Sequence, residues 1–385
     1  MKIGILTFYR NSNYGAMLQA TALCAVLRNE GHEPVFLDTA IQTLHRRGFA
    51  GTAARFAFRL VSGNADGAMA AVGSFLRAKA ESGIESYADP LPVSPPLRTM
   101  KALRKYAAGL DAAIVGSDQM WNPHWTAPFL PVVFLDFAPE TCRRVAYAVS
   151  FSVPEWRQSN AGAAGTLMEK FRAIGVREKS GERIVGALCP GISARTTLDP
   201  TLLAGRTFWE SKIPGEPDRM RKRHAFSYFL PRTSERDISK WNESAAALPG
   251  VDEVLDASAA PRGRLFARLC SRFGVHGKIG VDEWLRRLAE SRFVVTNSFH
   301  GTAFAVIFHR PFASVLLGGG ESSRDMNERI VSLLSEIGLE DRMVQPGSFG
   351  ELKAIFEKPV DWSGVDAKLQ TARLQSEKFL REALS

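Results

Sequence analysis

Residues 294–302 constrain the fold of this 385-residue chain more than any other segment does. The apolar run Val294-Val295-Thr296 leads into the polar sequence Asn297-Ser298-Phe299-His300, and we expect a helix to begin at Gly301-Thr302. A buried strand that passes through a polar tip into a helix is the repeating unit of parallel α/β sheets. Ligands bind such sheets at the carboxyl edge, where a helix N-terminus attracts anions. His300 is therefore a candidate to contact an anionic substrate and to move a proton, and a structural role at the strand end is the alternative.

The same pattern opens the chain. A strand is predicted from Lys2 to Phe8, a helix over 16–29 that ends at Gly31, and a second strand over 34–38. This strand–loop–helix–strand start is typical of doubly wound sheets.

Three more strands of the N-terminal half end in polar tips. They are predicted at 112–115, 144–151 and 173–176, and the first and third run into Gly116-Ser117-Asp118-Gln119 and Arg177-Glu178. Since parallel strands end at one edge of a sheet, we expect these tips to line a common crevice. The sequence Asp199-Pro200-Thr201 is interpreted as a hinge that closes this domain.

The C-terminal half repeats this organisation, with a strand over 225–230, an amphipathic helix over 281–290, a strand over 311–317 and a final helix over about 365–384. We therefore predict an α/β fold of two Rossmann-like domains that face a cleft. The predicted units are an N-terminal domain of residues 1–200 with a helical insert at about 39–100, a C-terminal domain of residues 201–350, and a helical segment of residues 351–385 that crosses back onto the first domain.

Composition narrows the class of protein. The four cysteines lie far apart, which argues against a zinc site or a disulfide framework, and no metal is expected. No apolar run is long enough to cross a bilayer, so a cytoplasmic protein is expected. The net charge of +9 favours acidic partners, but no basic run is interleaved with aromatics, and nucleic-acid binding is not expected.

The stretch from about Thr39 to Arg98 is basic and poorly periodic. Helices packed on the outside of a domain are one interpretation. The alternative is a surface that associates peripherally with anionic lipid at the inner face of the cytoplasmic membrane.

Five polar motifs together resemble a known family. They are Asn13-Tyr14-Gly15-Ala16-Met17-Leu18-Gln19, Gly116-Ser117-Asp118-Gln119-Met120-Trp121-Asn122, Arg177-Glu178-Lys179-Ser180, Asp199-Pro200-Thr201-Leu202-Leu203 and Asn297-Ser298-Phe299-His300-Gly301. In this order and spacing the chain resembles the polysaccharide pyruvyl transferases, from its first strand to about Arg342. The resemblance implies a fold similar to two-domain GT-B glycosyltransferases. It also implies transfer of pyruvate from phosphoenolpyruvate (PEP) onto two sugar hydroxyls as a cyclic ketal, in the synthesis of a surface polysaccharide.

Two positions depart from the family. Many members carry Arg-Leu-His where this chain has Ser298-Phe299-His300, so an arginine that would grip the donor is absent. Arg177 and Arg329 are the candidates to replace it. The second departure is Ser152, where a glycine often follows the Ser-Phe pair.

These considerations assign the site. His300 is expected to bind the phosphate and assist its departure, and Asp118 to take a proton from the sugar hydroxyl or to bind it, although an aspartate here can also cap a helix. Structural roles are the alternatives for two further candidates: Arg177 can form an internal ion pair with Glu178, and Trp121 can fill the domain core. The donor-binding candidates are Arg177, Asn297, Ser298, Thr302 and Arg329, and the acceptor-binding candidates are Asn13, Tyr14, Gln19, Gln119, Trp121 and Asn122.

The expected partners are PEP as co-substrate, with no further cofactor, and a glycan or lipid-linked oligosaccharide as acceptor. Two other functions fit the same pattern: a GT-B glycosyltransferase that uses a nucleotide sugar, and a non-catalytic member that binds glycan.

Overall fold

The structure is a computed structural model, and it describes residues 1–10, 13–39, 41, 86–213, 215, 223–230, 233–257, 279–320 and 325–385. Most of the predicted helical insert at about 39–100, including the basic residues between 46 and 79, lies outside the described residues. In the described part of the chain no helix is both long enough and apolar enough to cross a membrane.

The N-terminal domain is built on a sheet of six parallel strands. These are β1 (Lys2–Leu6), β2 (Glu33–Phe36), β3 (Ala112–Val115), β4 (Arg143–Val149), β5 (Ala173–Val176) and β6 (Ala194–Thr196). Their order across the sheet is β2-β1-β3-β4-β5-β6. All four residues of β3 are buried, because helices cover both faces of the sheet.

Seven α-helices belong to the described part of this half. They are α1 (Tyr14–Asn29), α2 (Met100–Ala107), α3 (Pro123–Thr126), α4 (Leu130–Val133), α5 (Ala161–Met168), α6 (Lys179–Leu188) and α7 (Pro200–Glu210). The predicted hinge at Asp199-Pro200-Thr201 forms a helix start in the structure. Asp199 instead caps α7, since its Oδ1 accepts a hydrogen bond of 2.9 Å from the N–H of Thr201. Proline at the first helical position adds to this start signal.

The C-terminal domain has a second parallel sheet. Its strands are β7 (His224–Tyr228), β8 (Glu253–Asp256), β9 (Phe293–Thr296), β10 (Phe312–Val315) and β11 (Met343–Val344). The helices of this half, including the C-terminal segment, are α8 (Glu235–Ala246), α9 (Val281–Glu290), α10 (Phe299–Ile307), α11 (Glu328–Ile337), α12 (Leu352–Glu357) and α13 (Trp362–Leu384). The strand order is β11-β10-β9-β7-β8. Short 3₁₀ helices lie at Ser86–Ala88, Ala127–Phe129, Asp325–Asn327, Glu340–Arg342 and Phe349–Glu351.

The topology of the two sheets indicates the edge at which a ligand is expected to bind. Strand order reverses between β1 and β3 in the first sheet and between β7 and β9 in the second. In doubly wound sheets the crevice for ligands opens at this switch point, beyond the carboxyl ends of the strands. The polar tips identified in the sequence follow β3, β5 and β9, so they lie at these edges.

The helix after β9 begins two residues earlier than the sequence suggested. It starts at Phe299 instead of Gly301, because the Ser298 hydroxyl accepts a hydrogen bond of 3.3 Å from the Gly301 N–H and acts as the N-cap. Serine is a strong N-cap, and this local preference outweighs the Gly-Thr signal. His300 therefore sits in the first turn of α10 and not in the loop before it.

Contacts at the last helix and on the cleft side both join the halves. The last helix, α13, reaches the first sheet, where its Ser376 hydroxyl accepts a hydrogen bond of 2.9 Å from the Leu198 N–H. On the cleft side, Tyr14 of α1 stacks on Trp284 of α9 with ring centroids 5.3 Å apart, and it meets Tyr228 edge-on. All of these aromatic side chains are buried, so the contact between the domains includes an apolar core.

We predict that Trp284→Ala lowers the free energy of unfolding by roughly 3–5 kcal/mol, because it leaves a large cavity among fully buried rings. Denaturant unfolding followed by circular dichroism measures this. The matched control is Leu374→Ala on α13, whose side chain is 54% exposed and whose loss should change the stability by less than about 0.5 kcal/mol. Equal effects of the two substitutions would contradict the packing described.

Candidate active site at the domain interface

The tip after β3 holds Asp118 in a fixed backbone conformation. Gly116 has φ 120°, and a Cβ there would lie 2.1 Å from the carbonyl oxygen of Tyr147, so only glycine fits. Asp118 itself has φ 71°, a left-handed conformation that aspartate and asparagine tolerate better than most residues. Its carbonyl accepts a hydrogen bond of 2.9 Å from the Ser150 N–H. The carboxylate is thereby presented at the carboxyl edge of the sheet.

Arg177 follows β5 and lies at the centre of the site. Its Nη1 donates to Asp199 Oδ2 at 2.7 Å, and its Nη2 lies 3.5 Å from Asp118 Oδ1. The ring of Phe299, from the other domain, covers one face of the guanidinium at 4.5 Å. Burial alone would lower the pKa of Arg177, but Asp199, Asp118 and Glu178 outweigh it and the net shift is upward. Arg177 is therefore a permanent cation with two carboxylate partners.

Asp199 was not among the candidate residues, yet it organises the site. Its Oδ2 accepts hydrogen bonds from the Ser117 hydroxyl and from Arg177, and its Oδ1 accepts from the hydroxyl and the N–H of Thr201. Burial would raise the pKa of Asp199, but the facing imidazole of His300, the charge of Arg177 and the Thr201 N–H hold it well below its usual range. The sequence Asp199-Pro200-Thr201 signals a helix start, but nothing in it indicates the contact with Arg177.

His300 reaches the cluster from α10. Its Nε2 lies 3.6 Å from Asp199 Oδ2, an ion-pair distance that is longer than a hydrogen bond. The ring packs on the start of α1 at Gly15, where a Cβ would come within 1.9 Å of the imidazole Nδ1. Glycine is required at this position because the imidazole occupies the space of a side chain.

Arg329 enters from the first turn of α11. With the Gln119 amide oxygen turned toward it, that oxygen accepts hydrogen bonds of 2.9 Å from both Nη1 and Nη2. Burial and the neighbouring charge of Arg177 lower the pKa of Arg329 to about 10, against the opposing effect of the nearby carboxylates. The guanidinium remains charged at neutral pH, and its contact with Gln119 crosses the domain interface.

The side chain of Glu178 bonds to groups other than Arg177, so the internal ion pair considered as an alternative for Arg177 is not formed with Glu178. Its Oε1 accepts hydrogen bonds of 2.8–3.0 Å from the Ser150 hydroxyl and from the backbone N–H groups of Phe151 and Ser152. Ser152 has φ 52°, which accounts for the family's frequent glycine there. Its hydroxyl is 2.8 Å from that of Ser150.

The other donor-side candidates make hydrogen bonds that shape the backbone. Asn297 Oδ1 accepts from the Leu230 N–H at 2.7 Å, and its Nδ2 donates to the Thr233 hydroxyl at 2.7 Å. The hydroxyls of Thr302 and Ser314 share one hydrogen bond, with the oxygen atoms 2.6 Å apart. Together with the N-cap role of Ser298, these bonds hold the switch-point loop that carries His300.

Most acceptor-side candidates also have structural partners. Gln19 Nε2 donates to the Thr7 hydroxyl and to two backbone carbonyls, and the Tyr14 hydroxyl donates to the Ile279 carbonyl at 2.8 Å. Trp121 is fully buried and stacks on Phe134 at 4.6 Å, which places it in the core.

Two of the three remaining acceptor candidates are asparagines at helix starts. Asn122 Oδ1 accepts from the His124 N–H, and Asn13 caps α1 through the Gly15 N–H. The third, Gln119, reaches the charged cluster through Arg329.

The structure brings together His300, Asp118, Arg177, Gln119 and Arg329 from four separate parts of the sequence. Three nitrogen atoms of this cluster are buried and lack a hydrogen-bond partner among the described residues: Nε of Arg177, Nε of Arg329 and Nε2 of His300, the last of which lies 3.6 Å from Asp199. Buried donors without partners are costly, and an anion is the kind of ligand that guanidinium groups bind.

We predict that Asp199→Asn lowers the free energy of unfolding by roughly 3 kcal/mol at neutral pH, because it leaves Arg177 buried beside a neutral amide. A carboxyl whose pKa falls on folding adds stability above its unfolded pKa of about 4 and loses it as the pH drops below that value. The difference from wild type should therefore shrink as urea titrations move from about pH 7 to about pH 3.

The control for this substitution is Asp361→Asn at the exposed N-cap of α13, whose Oδ1 accepts from the Gly364 N–H at 3.0 Å. Asparagine is an equally good N-cap, so little change is expected at either pH. A deficit of Asp199→Asn that is independent of pH would show that the charge of Asp199 does not stabilise the fold.

Comparison with known proteins agrees with this architecture. The UDP-GlcNAc 2-epimerase of Methanocaldococcus jannaschii superimposes with a TM-score of 0.52 at 9% identity, over 97% of this chain and 99% of its own. A putative UDP-N-acetylglucosamine 2-epimerase of Listeria monocytogenes gives 0.50 at 9% identity, over 96% and 90%. These likenesses concern the fold alone, and with the two parallel-sheet domains they confirm the predicted GT-B-like arrangement.

A search of curated protein sequences finds no match. A family model described as polysaccharide pyruvyl transferase matches residues 13–317, which include all five motifs and every residue of the cluster except Arg329. The match spans most of the chain, and the protein therefore belongs to the polysaccharide pyruvyl transferase family.

Proposed function

We propose that this protein transfers the pyruvyl group of PEP onto two hydroxyls of a sugar as a cyclic ketal. The family makes it a transferase with a polysaccharide-type acceptor. The observation that carries the proposal is the convergence of Arg177, Arg329 and His300, each with a buried nitrogen atom that lacks a hydrogen-bond partner among the described residues. PEP carries a carboxylate and a phosphate, and two guanidinium groups with one imidazole match those two anionic groups.

The absent arginine of the family motif has a replacement in this scheme. Ser298 caps α10, so its short side chain belongs to the helix start. Arg329 supplies a cation to the same cluster from α11, close enough to Arg177 for each charge to act on the other. We therefore assign the second donor-binding arginine to Arg329.

The chemistry balances with these residues. One proton adds to the methylene carbon of PEP, two sugar oxygens bond to the adjacent carbon, and the bond from that carbon to the phosphate oxygen breaks. The two hydroxyls release two protons, one of which replaces the proton taken up by the methylene carbon while the other leaves with phosphate. In this scheme Asp118 accepts the proton of the attacking hydroxyl, and His300 assists the departing phosphate.

The biological setting belongs to the same proposal. A ketal pyruvyl transferase of this kind serves the synthesis of a surface polysaccharide, with a glycan or lipid-linked oligosaccharide as acceptor. Work at the inner face of the cytoplasmic membrane suits a lipid-linked acceptor.

We predict that PEP raises the Tm of the purified protein more than UDP, GDP or inorganic phosphate does, because PEP alone carries both anionic groups. Thermal unfolding in the presence of each compound measures this. The shift should be lost in Arg177→Ala and Arg329→Ala. It should persist in Arg223→Ala, which removes an arginine that is 75% exposed and paired with Asp252 on the opposite edge of the second sheet. A shift with a nucleotide and none with PEP would instead indicate a sugar-nucleotide transferase.

We predict that His300→Ala lowers the rate of PEP-dependent phosphate release on the order of 100-fold or more while the protein stays folded, because it removes the group placed at the leaving phosphate. A coupled phosphate assay with isolated surface glycans measures this. The control is His32→Ala, at the amino edge of the first sheet just before β2. Full activity in a folded His300→Ala protein would remove the imidazole from the mechanism.

A further inference from the structure

The two carboxylate partners of Arg177 are held very differently. Asp199 is fully buried as a side chain and accepts hydrogen bonds from Arg177, Ser117 and Thr201. Asp118 is 11% exposed as a side chain, and its contact with Arg177 is 3.5 Å, at the limit of a hydrogen bond. Asp199 is therefore the permanent partner of Arg177, and Asp118 the loosely held one.

The geometry of the guanidinium also limits where a ligand can bind. Nη1 is committed to Asp199 at 2.7 Å, and Phe299 covers one face of the group. The edge that remains is formed by Nε, which is buried without a partner among the described residues, and Nη2, which faces Asp118. Carboxylates and phosphates bind arginine in a bidentate manner along such an edge. An anion that binds Arg177 in this way comes to share Nη2 with Asp118, and because the two negative charges repel each other, the loosely held carboxylate is the one that gives way.

We propose that Asp118 is an exchangeable partner of Arg177: the anionic co-substrate displaces its carboxylate, and the displaced Asp118 then becomes available to the acceptor hydroxyl. For the identity of the anion this rests on the proposed function. Binding of the anion thereby frees Asp118 for the acceptor. The carbonyl of Asp118 accepts hydrogen bonds from the N–H groups of Met120 and Ser150, which hold the main chain while the side chain rotates.

The test is the affinity of the folded protein for inorganic phosphate and for PEP, measured by isothermal titration calorimetry. Asp118→Asn removes the competing charge and keeps a side chain that tolerates positive φ. We expect it to bind phosphate roughly tenfold more tightly than wild type does, because the anion no longer displaces a carboxylate from Arg177. Combining it with Arg177→Ala should abolish the gain.

The control separates exchange from a general effect of charge. Glu178→Gln removes a negative charge that also acts on Arg177 and Arg329, but Glu178 hydrogen-bonds to Ser150 and to backbone N–H groups instead of to the guanidinium edge. A smaller gain in phosphate affinity than that of Asp118→Asn is expected. Equal gains, or an Asp118→Asn protein that binds phosphate no better than wild type, would overturn the proposal.

The two ligands distinguish this inference from the donor assignment. Tighter phosphate binding by Asp118→Asn without any binding of PEP would support the exchange and remove PEP as the donor. PEP binding that Asp118→Asn leaves unchanged would support PEP as the donor and overturn the exchange.

Discussion

The pairing of Arg177 with Asp199 is the interaction on which the rest of the site depends. A guanidinium and a carboxylate that are both out of contact with solvent are costly to bury, and the cost is offset only when every contact has good geometry. Ser117 and Thr201 supply the remaining hydrogen bonds to Asp199, and α7 begins at that residue. The N-cap of a helix thus doubles as the anchor of the central cation. His300 lies beside Asp199, and Asp118 lies beside Arg177, so both are next to this pair.

The positions of the site residues follow from the repeated topology. Each domain has the strand order of a doubly wound sheet, and each contributes the loops at its switch point. The first domain provides two carboxylates and Arg177. The second provides His300, Phe299 and Arg329, so the cluster is complete only where the domains meet. The ring of Phe299 on Arg177 and the hydrogen bonds from Arg329 to Gln119 connect the two sides directly.

Much of this arrangement could be predicted from the sequence. Strands 112–115 and 173–176 and the helix 281–290 have the predicted bounds, because unbroken apolar runs and a clear helical period leave little choice. The convergence of tips after β3, β5 and β9 follows from parallel strands ending at one edge. The role of Gln19 could not be predicted, and for Trp121 the sequence could not decide between the core and a sugar contact, since a polar tip and a buried residue look alike in sequence until packing is known. Asp199 was missed because an aspartate before proline signals a helix start as readily as a hinge, and nothing local shows that its second oxygen faces an arginine.

The central claim is that Arg177 and Arg329 together bind PEP at the domain interface. A crystal structure of the protein soaked with PEP tests it most directly. The account predicts PEP with its carboxylate and phosphate shared between the two guanidinium groups, His300 beside the phosphate, and the carboxylate of Asp118 turned away from Arg177. PEP bound elsewhere, or bound while Asp118 still lies against Arg177, would contradict it.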